Sequence, residues 1–388
     1  MPVTLGLTRL LASGRLDGAR IGLVTNPSSV DARLIHAVEQ VTATPGVTLA
    51  ALFGPQHGFH STLQDNMIET PHAEDRQRRV PVYSLYSETR EPTDAMLEGL
   101  DALVIDLQDV GTRVYTFSYT MAYCLKAAAR RGLPVIVCDR PNPIGGRVVE
   151  GPMLQPGFES FVGLFPIALR HGLTIGELAS LFNVQFGLDA ALEVIAMEGW
   201  QRGARWDQTG LPWVMPSPNL PTLDSASVYP GMVLFEGTLL SEGRGTTRPF
   251  ELVGAPGVDA ERLAAAVNAL ALPGVAFRPA YFEPTFQKHA RITCGGCQVH
   301  VTDRELFRPV DAAIALLCAF RDALPDRRLP WRPPPYEYEH DKMPIDILAG
   351  SDGLRRAVDA GASPLEISVT CRLDATSFDG LRTPCLLY

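Results

Sequence analysis

The chain has 388 residues, which is more than one hydrophobic core usually supports, so its length predicts two domains. Hydrophobic residues make up 46% of the chain and charged residues 20%, as in an ordinary folded protein. The net charge of −9 argues against a nucleic-acid partner, which would need a basic surface. No stretch approaches the ~18 consecutive apolar residues of a membrane-spanning helix, so we expect no membrane insertion.

The N-terminal residues lack a basic start followed by an unbroken apolar stretch, so we expect no signal peptide and a cytoplasmic location. Seven cysteines without regular spacing fit a reducing compartment better than a disulfide framework. His289, Cys294, Cys297 and His300 have the short spacing of a zinc site. A strand over 292–301 would place the two cysteines on opposite faces, so we predict ordinary thiols, with no metal and no cofactor.

The first half of the chain alternates strands and helices. Apolar runs bounded by turn residues predict strands over 20–25, 47–53, 80–86, 102–107 and 134–138. Helical patterns cover 31–41, 121–131 and 174–186, the last with Thr174 and Glu177 as a capping box. Near-continuous apolar strands separated by helices predict a parallel, Rossmann-like α/β sheet covered on both faces.

Polar clusters follow four of these strands. They are Asn26-Pro27 and the stretches 54–58, 106–109 and 139–142. Ligands bind at the carboxyl ends of parallel strands, so these clusters predict a site there, although helix capping explains any single one of them. Neither G-x-G-x-x-G after the first strand nor G-x-x-x-x-G-K-[ST] occurs, which argues against a nucleotide site.

The second half has a different pattern. The stretch 200–229 is rich in tryptophan and proline and predicts an irregular connector, with the domain boundary near Ser225. We therefore predict a Rossmann-like domain over 1–225 and a smaller α+β domain over 226–388, with the active-site cleft between them. Helices are predicted over 259–270, 310–324, 345–348 and 354–360, a strand over 292–301, an extended segment over 326–338 and a loop-like C-terminus.

The segment 234–251 is dense in polar groups, each of which needs a partner once buried. It carries the carboxylates Glu236, Glu242 and Glu251. Gly243 and Gly245 flank Arg244, which suggests positive φ angles or a close backbone approach. We interpret the segment as one wall of a polar binding site.

Long, ordered motifs connect these features. They are G-P-Q-H-G-F from Gly54, P-V-Y-S-L-Y from Pro81, D-L-Q-D-V-G-T-R-V-Y-T from Asp106, D-R-P-N-P-I-G-G from Asp139, V-E-G-P from Val149, H-G-L-T-I-G-E-L from His171, P-S-P-N-L-P-T from Pro216 and F-E-G-T-L-L-S-E-G-R-G-T-T-R-P-F-E from Phe235. From about Ile21 onward the chain resembles the NamZ-type exo-β-N-acetylmuramidases, formerly a family of unknown function. The resemblance implies removal of terminal N-acetylmuramic acid from the non-reducing end of peptidoglycan fragments. The family pattern G-P-E-H-G is broken here by Gln56.

Glycoside hydrolysis usually needs two carboxyl groups, one as proton donor and one as nucleophile or base. The candidates lie in polar loops: Glu150 and Glu242 first, then Glu236 and Asp109. The lactyl carboxylate of the sugar calls for an arginine, since a guanidinium matches a carboxylate in a bidentate manner. The predicted substrate-binding residues are Gln56, His57, Asp106, Arg113, Tyr115, Arg140, Asn142, Asn219 and Arg244.

Two alternatives stay open from sequence. Gln56 cannot donate a proton as a carboxylic acid does, so the chain could be a catalytically impaired homologue that still binds sugar or muropeptide. Asp106, Asp109 and His57 could instead hold a divalent ion in a metal-dependent hydrolase. In every case we expect a small-molecule substrate, and the sequence does not indicate an oligomeric state.

Overall fold

The computed structural model describes residues 2–65 and 67–388. The strands are, in chain order, β1 (Arg20–Val24), β2 (Thr48–Gly54), β3 (Ala73–Asp75), β4 (Val80–Ser84), β5 (Ala102–Ile105), β6 (Val135–Cys138), β7 (Glu150–Met153), β8 (Ala168–Arg170), β9 (Leu192–Ile195), β10 (Leu252–Ala255), β11 (Val275–Phe282) and β12 (Cys294–Val301). The helices are α1 (Gly6–Ala12), α2 (Ala37–Ala43), α3 (Phe117–Arg131), α4 (Ile175–Gln185), α5 (Leu223–Met232), α6 (Ala260–Asn268), α7 (Pro309–Ala323), α8 (Pro344–Ala349), α9 (Gly353–Asp359) and α10 (Pro364–Arg382).

The large sheet has the strand order β3-β4-β2-β1-β5-β6-β9. All neighbours pair in parallel except β3, which pairs antiparallel with β4 at the edge. Without β3, the chain order of the parallel strands across the sheet is 3-2-1-4-5-6, the order of a Rossmann sheet. The predicted fold class is therefore confirmed, and the strand order reverses between β1 and β5, the point at which sheets of this kind usually bind ligands at their carboxyl ends.

The C-terminal part adds a smaller antiparallel sheet of order β10-β12-β11, against which α6 packs, while α7 packs against α5, α6 and α10. One large hydrophobic cluster joins both parts of the chain, and Phe117, Leu234 and Phe320 all belong to it. The predicted boundary near Ser225 falls inside α5 and stays a prediction.

Several predicted elements need correction. The helix expected over 31–41 begins only at Ala37, because the ring of His36 caps it by accepting the Val38 N–H. The connector 200–229 was predicted to be irregular, but it contains the start of α5, which is capped by Thr222 and Ser225. Strands β7, β8 and β9 were not predicted.

The C-terminus was predicted to be loop-like and is instead the nineteen-residue helix α10. Ser363 and Glu366 form a capping box at its start. Ile367, Cys371 and Phe378 lie on its buried face, at helical spacing. Within residues 2–65 and 67–388, no helix combines the length and apolarity that crossing a membrane demands.

Candidate active site

A small cavity of about 40 Å³ lies where the loops after β2 and β5 meet the C-terminal part. Such a volume holds only a few water molecules, so the cavity is narrow in this structure. The residues around it are Gln56, His57, Val114, Tyr115, Thr116, Phe117, Val162, Ser217, Asn219, Leu220, Tyr229, Glu236, Arg244, Phe250, Tyr336 and Glu337.

Glu236 stands in a 3₁₀ turn, Val233–Gly237, and its carboxylate is buried. Arg244 donates to its Oε1 at 2.7 Å, and the Tyr336 hydroxyl donates to its Oε2 at 2.7 Å. Burial alone would raise the pKa of Glu236, but the Arg244 charge and these hydrogen bonds outweigh it and lower the pKa. Glu236 is therefore ionised at neutral pH.

Arg244 is held between two carboxylates, because its Nε also lies 3.3 Å from Glu242. Glu242 in turn accepts from the buried Lys288 ammonium at 2.8 Å. The Nη1 of Arg244 has no hydrogen-bond partner in the part of the chain that the structure describes. A buried guanidinium with an unused donor group is suited to bind an anionic substituent of a ligand.

The glycines beside Arg244 behave as the sequence predicts. Gly243 and Gly245 both have φ of +80°. A Cβ on Gly245 would lie 2.5 Å from the carbonyl oxygen of Phe286. Both the backbone angle and the close approach therefore require glycine, and together they fix the direction of the arginine side chain.

Glu337 is the second acidic group of the cavity, and it is only 3% exposed. The Tyr86 hydroxyl donates to its Oε2 at 2.9 Å, and the Gln56 amide donates to its Oε1 at 3.5 Å. No salt bridge to it occurs within residues 2–65 and 67–388. Burial, reinforced by the Glu236 charge, raises the pKa of Glu337 to about 7.

His57, in the loop after β2, lines the same cavity as these two acids. Its Nδ1 is 2.8 Å from the carbonyl oxygen of Leu63. Burial and the Arg244 charge lower the pKa of His57 to about 4, so the ring is neutral at pH 7. A neutral imidazole is suited to bind a hydroxyl group rather than an anion.

Two further predicted residues complete the lining. Asn219 donates through its amide to the carbonyl oxygen of Gln64 at 2.6 Å. Its Oδ1 has no hydrogen-bond partner among the described residues, so it can accept from a ligand. The Tyr115 ring packs against Phe117 and Tyr229 and forms part of an aromatic wall.

Three residues that line the cavity have a strained backbone. His57, Phe250 and Glu337 have positive φ, at +71°, +64° and +45°. Each such residue costs roughly 1–3 kcal/mol, and residues of this kind cluster at functional sites. The surrounding contacts therefore hold both sides of the cavity in a defined conformation.

The structure brings six predicted site residues to the cavity and leaves the others elsewhere. Those that line it are Gln56, His57, Tyr115, Asn219, Glu236 and Arg244. Glu242 lies behind Arg244 and does not face the cavity. The remaining predicted residues, Asp106, Asp109, Arg113, Arg140, Asn142 and Glu150, do not line it.

Asp106 and Arg140 form a buried salt bridge at 2.9 Å. Arg140 also donates to the carbonyl oxygen of Val30 and to the side chain of Gln108, so all three guanidinium nitrogens are used. Asn142 donates to the carbonyl oxygen of Leu173. These residues fasten the strand-end loops to one another, and none of them lines the cavity.

Glu150 is buried and accepts from Arg170 at 3.1 Å and from the Val310 N–H at 3.1 Å. Asp109 accepts the Gly111 N–H and lies 3.4 Å from His171.

Arg113 is fully buried, and its two terminal nitrogens donate to three backbone carbonyl groups. These motif positions make contacts within the chain and do not line the cavity, so their predicted role at the substrate stays a prediction.

Glu337 and Tyr336 were missed in the sequence. They lie in P-P-P-Y-E-Y-E-H, within the predicted extended segment 326–338. The available signal was a glutamate between two tyrosines in a rigid, proline-dense stretch. Such a stretch presents side chains without burying them in regular structure.

The metal-site alternative is not supported by the arrangement. Asp106 is bonded to Arg140, and Asp109 to the Gly111 N–H, so neither joins His57 in a ligand set. Among residues 2–65 and 67–388, no group of three or more histidine, cysteine or acidic side chains has the geometry to hold a metal ion.

Comparison with known proteins gives concordant matches along the chain. The family model for the N-terminal part of the exo-β-N-acetylmuramidase NamZ matches residues 21–224, and that for its C-terminal part matches 227–388. The peptidoglycan β-N-acetylmuramidase NamZ of Bacillus subtilis (strain 168) is 46% identical over 374 residues, which is 96% of this chain and 88% of the relative.

Two crystal structures of DUF1343 family proteins from Bacteroides fragilis NCTC 9343 have the same fold. One has a TM-score of 0.90 and 34% identity, covering 100% of this chain and 99% of the other. The second has a TM-score of 0.79 and 28% identity, with the same coverage.

Proposed function

Because this chain belongs to the NamZ exo-β-N-acetylmuramidase family, we propose that Glu337 is its general acid and Glu236 its ionised catalytic carboxylate. The chain is a glycoside hydrolase that removes terminal N-acetylmuramic acid from the non-reducing end of peptidoglycan fragments. One observation carries the assignment of roles: two buried carboxyl groups line one cavity, and their surroundings shift their pKa values in opposite directions.

Glu337 donates its proton to the glycosidic oxygen as the bond to the sugar breaks. With a pKa of about 7, it holds that proton at neutral pH and still releases it readily. The hydroxyl of Tyr86 and the amide of Gln56 then stabilise the carboxylate that forms. If Glu236 is the nucleophile, the Glu337 carboxylate then takes a proton from the water that hydrolyses the glycosyl-enzyme bond; if Glu236 is the base for water, the reaction is one step and Glu337 is reprotonated from solvent.

Glu236 faces the positive charge that develops on the sugar ring in the transition state. It acts either as the nucleophile or as the base for the attacking water. Arg244 and Tyr336 keep it ionised and fix both of its oxygens. The stereochemistry of the released sugar, followed by proton NMR, distinguishes these two roles.

Arg244 is the arginine that best suits the lactyl carboxylate of N-acetylmuramic acid. Arg113 and Arg140 are engaged by backbone carbonyl groups and by Asp106, whereas Arg244 lines the cavity and its Nη1 has no hydrogen-bond partner among the described residues. Asn219 Oδ1, also without a partner among those residues, is our candidate acceptor for the acetamido N–H. The cavity must widen to admit a sugar ring, because its present volume is too small for one.

The test is hydrolysis of para-nitrophenyl β-N-acetylmuramide, with the corresponding N-acetylglucosaminide as the control substrate. We expect release from the muramide only, and loss of this turnover in Glu236→Gln. Glu337→Gln should lose turnover of an N-acetylmuramyl-N-acetylglucosamine disaccharide, whose leaving group needs a proton. Glu339→Gln is a matched control, because Glu339 bonds to Lys342 outside the cavity. Full activity of Glu337→Gln on the disaccharide would contradict its assignment as the acid.

For the cellular role, we propose cytoplasmic recycling of muropeptides. The seven unpaired, buried cysteines support a reducing compartment. Fractionation of cells that express the full gene should recover the muramidase activity with the cytoplasmic contents. Recovery outside the cytoplasmic membrane would instead support wall turnover by a secreted enzyme.

A further inference from the structure

We infer that Gln56 is a positioning residue, whose side-chain amide holds the Glu337 carboxyl group in place for proton donation. This inference rests on the proposed function of Glu337. The amide at position 56 hydrogen-bonds to Glu337, whereas a carboxyl group at this position would change the pKa of Glu337.

The amide is fixed from both ends. The hydroxyl of Thr116 donates to Gln56 Oε1 at 2.6 Å, which turns the amide nitrogen toward Glu337. That nitrogen donates to Glu337 Oε1 at 3.5 Å, while Tyr86 donates to the other oxygen at 2.9 Å. Each oxygen of the carboxyl group therefore has its own donor.

The backbone under Gln56 is equally constrained. It follows β2 directly, and a Cβ at Gly54 would lie 2.8 Å from the Phe59 nitrogen, so the turn is tightly packed. His57 next to it has a positive φ. Thr116 precedes the first residue of α3. The amide thus connects two loops of the large sheet to the C-terminal segment that carries Glu337.

The charge environment explains why an amide suits this position. The titratable and charged groups that surround Glu337 are Tyr86, Tyr229, Glu236, Arg244, Tyr336 and Tyr338, with His57 in the same cavity and Arg90 stacked beyond Tyr86. Glu236 is already a nearby carboxylate. A second carboxyl group at position 56 would share a proton with Glu337, as closely spaced carboxyl pairs do. A neutral amide avoids this coupling and lets Glu337 release its proton near neutral pH.

The experiment is the pH dependence of kcat/KM on an N-acetylmuramyl-N-acetylglucosamine disaccharide, with released N-acetylmuramic acid measured. Gln56→Glu should move the basic limb of the profile upward by about one pH unit or more, because the added negative charge favours the protonated acid. Gln56→Leu should also move the limb upward and reduce kcat about tenfold with little change in KM, since it removes a donor to the carboxylate. Thr116→Val removes the hydrogen bond that orients the Gln56 amide. It should also move the basic limb upward and reduce kcat, each to a smaller extent than Gln56→Leu.

Gln201→Glu introduces the same charge at an exposed position and should leave the profile unchanged. If the basic limb stays in place in all three site variants while Glu337→Gln is inactive, the role of Gln56 is refuted and the proposed function stands. If Glu337→Gln keeps wild-type activity on the disaccharide, the proposed role of Glu337 as the acid is refuted, and the role of Gln56 with it. Should Gln56→Glu not fold, judged by its thermal unfolding, Gln56→Leu and Thr116→Val decide the question.

Discussion

Two buried polar regions of this protein use the same residue types for different purposes. Just after β5, Asp106 pairs with Arg140, and between β7 and β8 Glu150 pairs with Arg170, one acid to one base; none of these four residues lines the cavity. In the cavity, Glu337 has no salt bridge to any described residue, and the Nη1 of Arg244 has no hydrogen-bond partner among them. A buried carboxyl group that lines a cavity without a paired cation, rather than charge or burial alone, distinguishes the candidate active site from the structural network.

The largest effect should come from Glu337→Gln, which keeps the shape of the side chain and removes the proton donor. We expect kcat/KM on the disaccharide to fall by roughly 10²–10⁴, the usual contribution of general acid catalysis. Thermal unfolding should change little, because both hydrogen-bond donors to the side chain remain. An equal loss of kcat/KM in Glu339→Gln would contradict the assignment, because Glu339 does not line the cavity.

Arg170→Met tests whether the Glu150–Arg170 pair of the structural network contributes to stability and not to catalysis. It leaves the buried Glu150 without its cation, so the free energy of unfolding should fall by about 3–5 kcal/mol. Activity per folded molecule should persist, because neither residue lines the cavity. Urea denaturation gives the stability, with the exposed Arg15→Met as control. A folded but inactive Arg170→Met would place this pair in the catalytic machinery.

Arg244→Lys keeps a positive charge beside Glu236 but removes the free guanidinium nitrogen. Losing a hydrogen bond to a charged group costs about 1.5–3 kcal/mol, so kcat/KM on the muramide should fall about 10- to 100-fold. Preference for the muramide over the glucosaminide should shrink by the same factor. Unchanged preference would mean that another group binds the lactyl carboxylate.

The pH dependence of the wild-type enzyme follows from the opposite pKa shifts. Burial raises the pKa of Glu337 to about 7, and the required form is protonated, so activity should fall as pH rises through about 7. Above that point the loss approaches tenfold per pH unit. Arg244 and Tyr336 hold the pKa of Glu236 below its usual value, so activity should persist into mildly acidic solution. A flat profile between pH 6 and 9 on the disaccharide would contradict these roles.

The smallest effect concerns the helix that the sequence did not reveal. Ser363→Ala removes the side-chain cap of α10 and should lower the free energy of unfolding by about 1 kcal/mol. Ser377→Ala, at an exposed position in the same helix, should have no comparable effect. Equal values would mean that packing of Phe378 and its neighbours, not capping, sets the helix start.

The fold was largely predictable because strands buried on both faces are nearly continuous apolar runs, as 102–107 and 134–138 are. Strand β9, at the edge of the sheet, is only half-buried and gave no such signal. The helix α10 was missed because its apolar stripe is interrupted by exposed leucine and polar residues, although Ser363, Pro364 and Glu366 mark its start.

The site was predictable where the chain folds back locally, as in 234–251, which supplied both Glu236 and Arg244. The site was not predictable where the contacting residues are distant in sequence. Glu337 and Gln56, which are hydrogen-bonded, lie 281 residues apart in the chain. Asp106, Arg140 and Glu150 stand in motifs as polar as those of the cavity. Only the tertiary contacts reveal that their bonding capacity is already used.

The most direct test of the central claim compares Glu337→Gln with the wild type on two substrates that differ only in the leaving group. A nitrophenolate departs without protonation, whereas the hydroxyl of a sugar needs a proton donor. If Glu337 is the acid, kcat/KM should fall much further on the disaccharide than on para-nitrophenyl β-N-acetylmuramide. Equal losses on both substrates would show that Glu337 supports the site without donating the proton, and no loss on either would exclude it from the reaction.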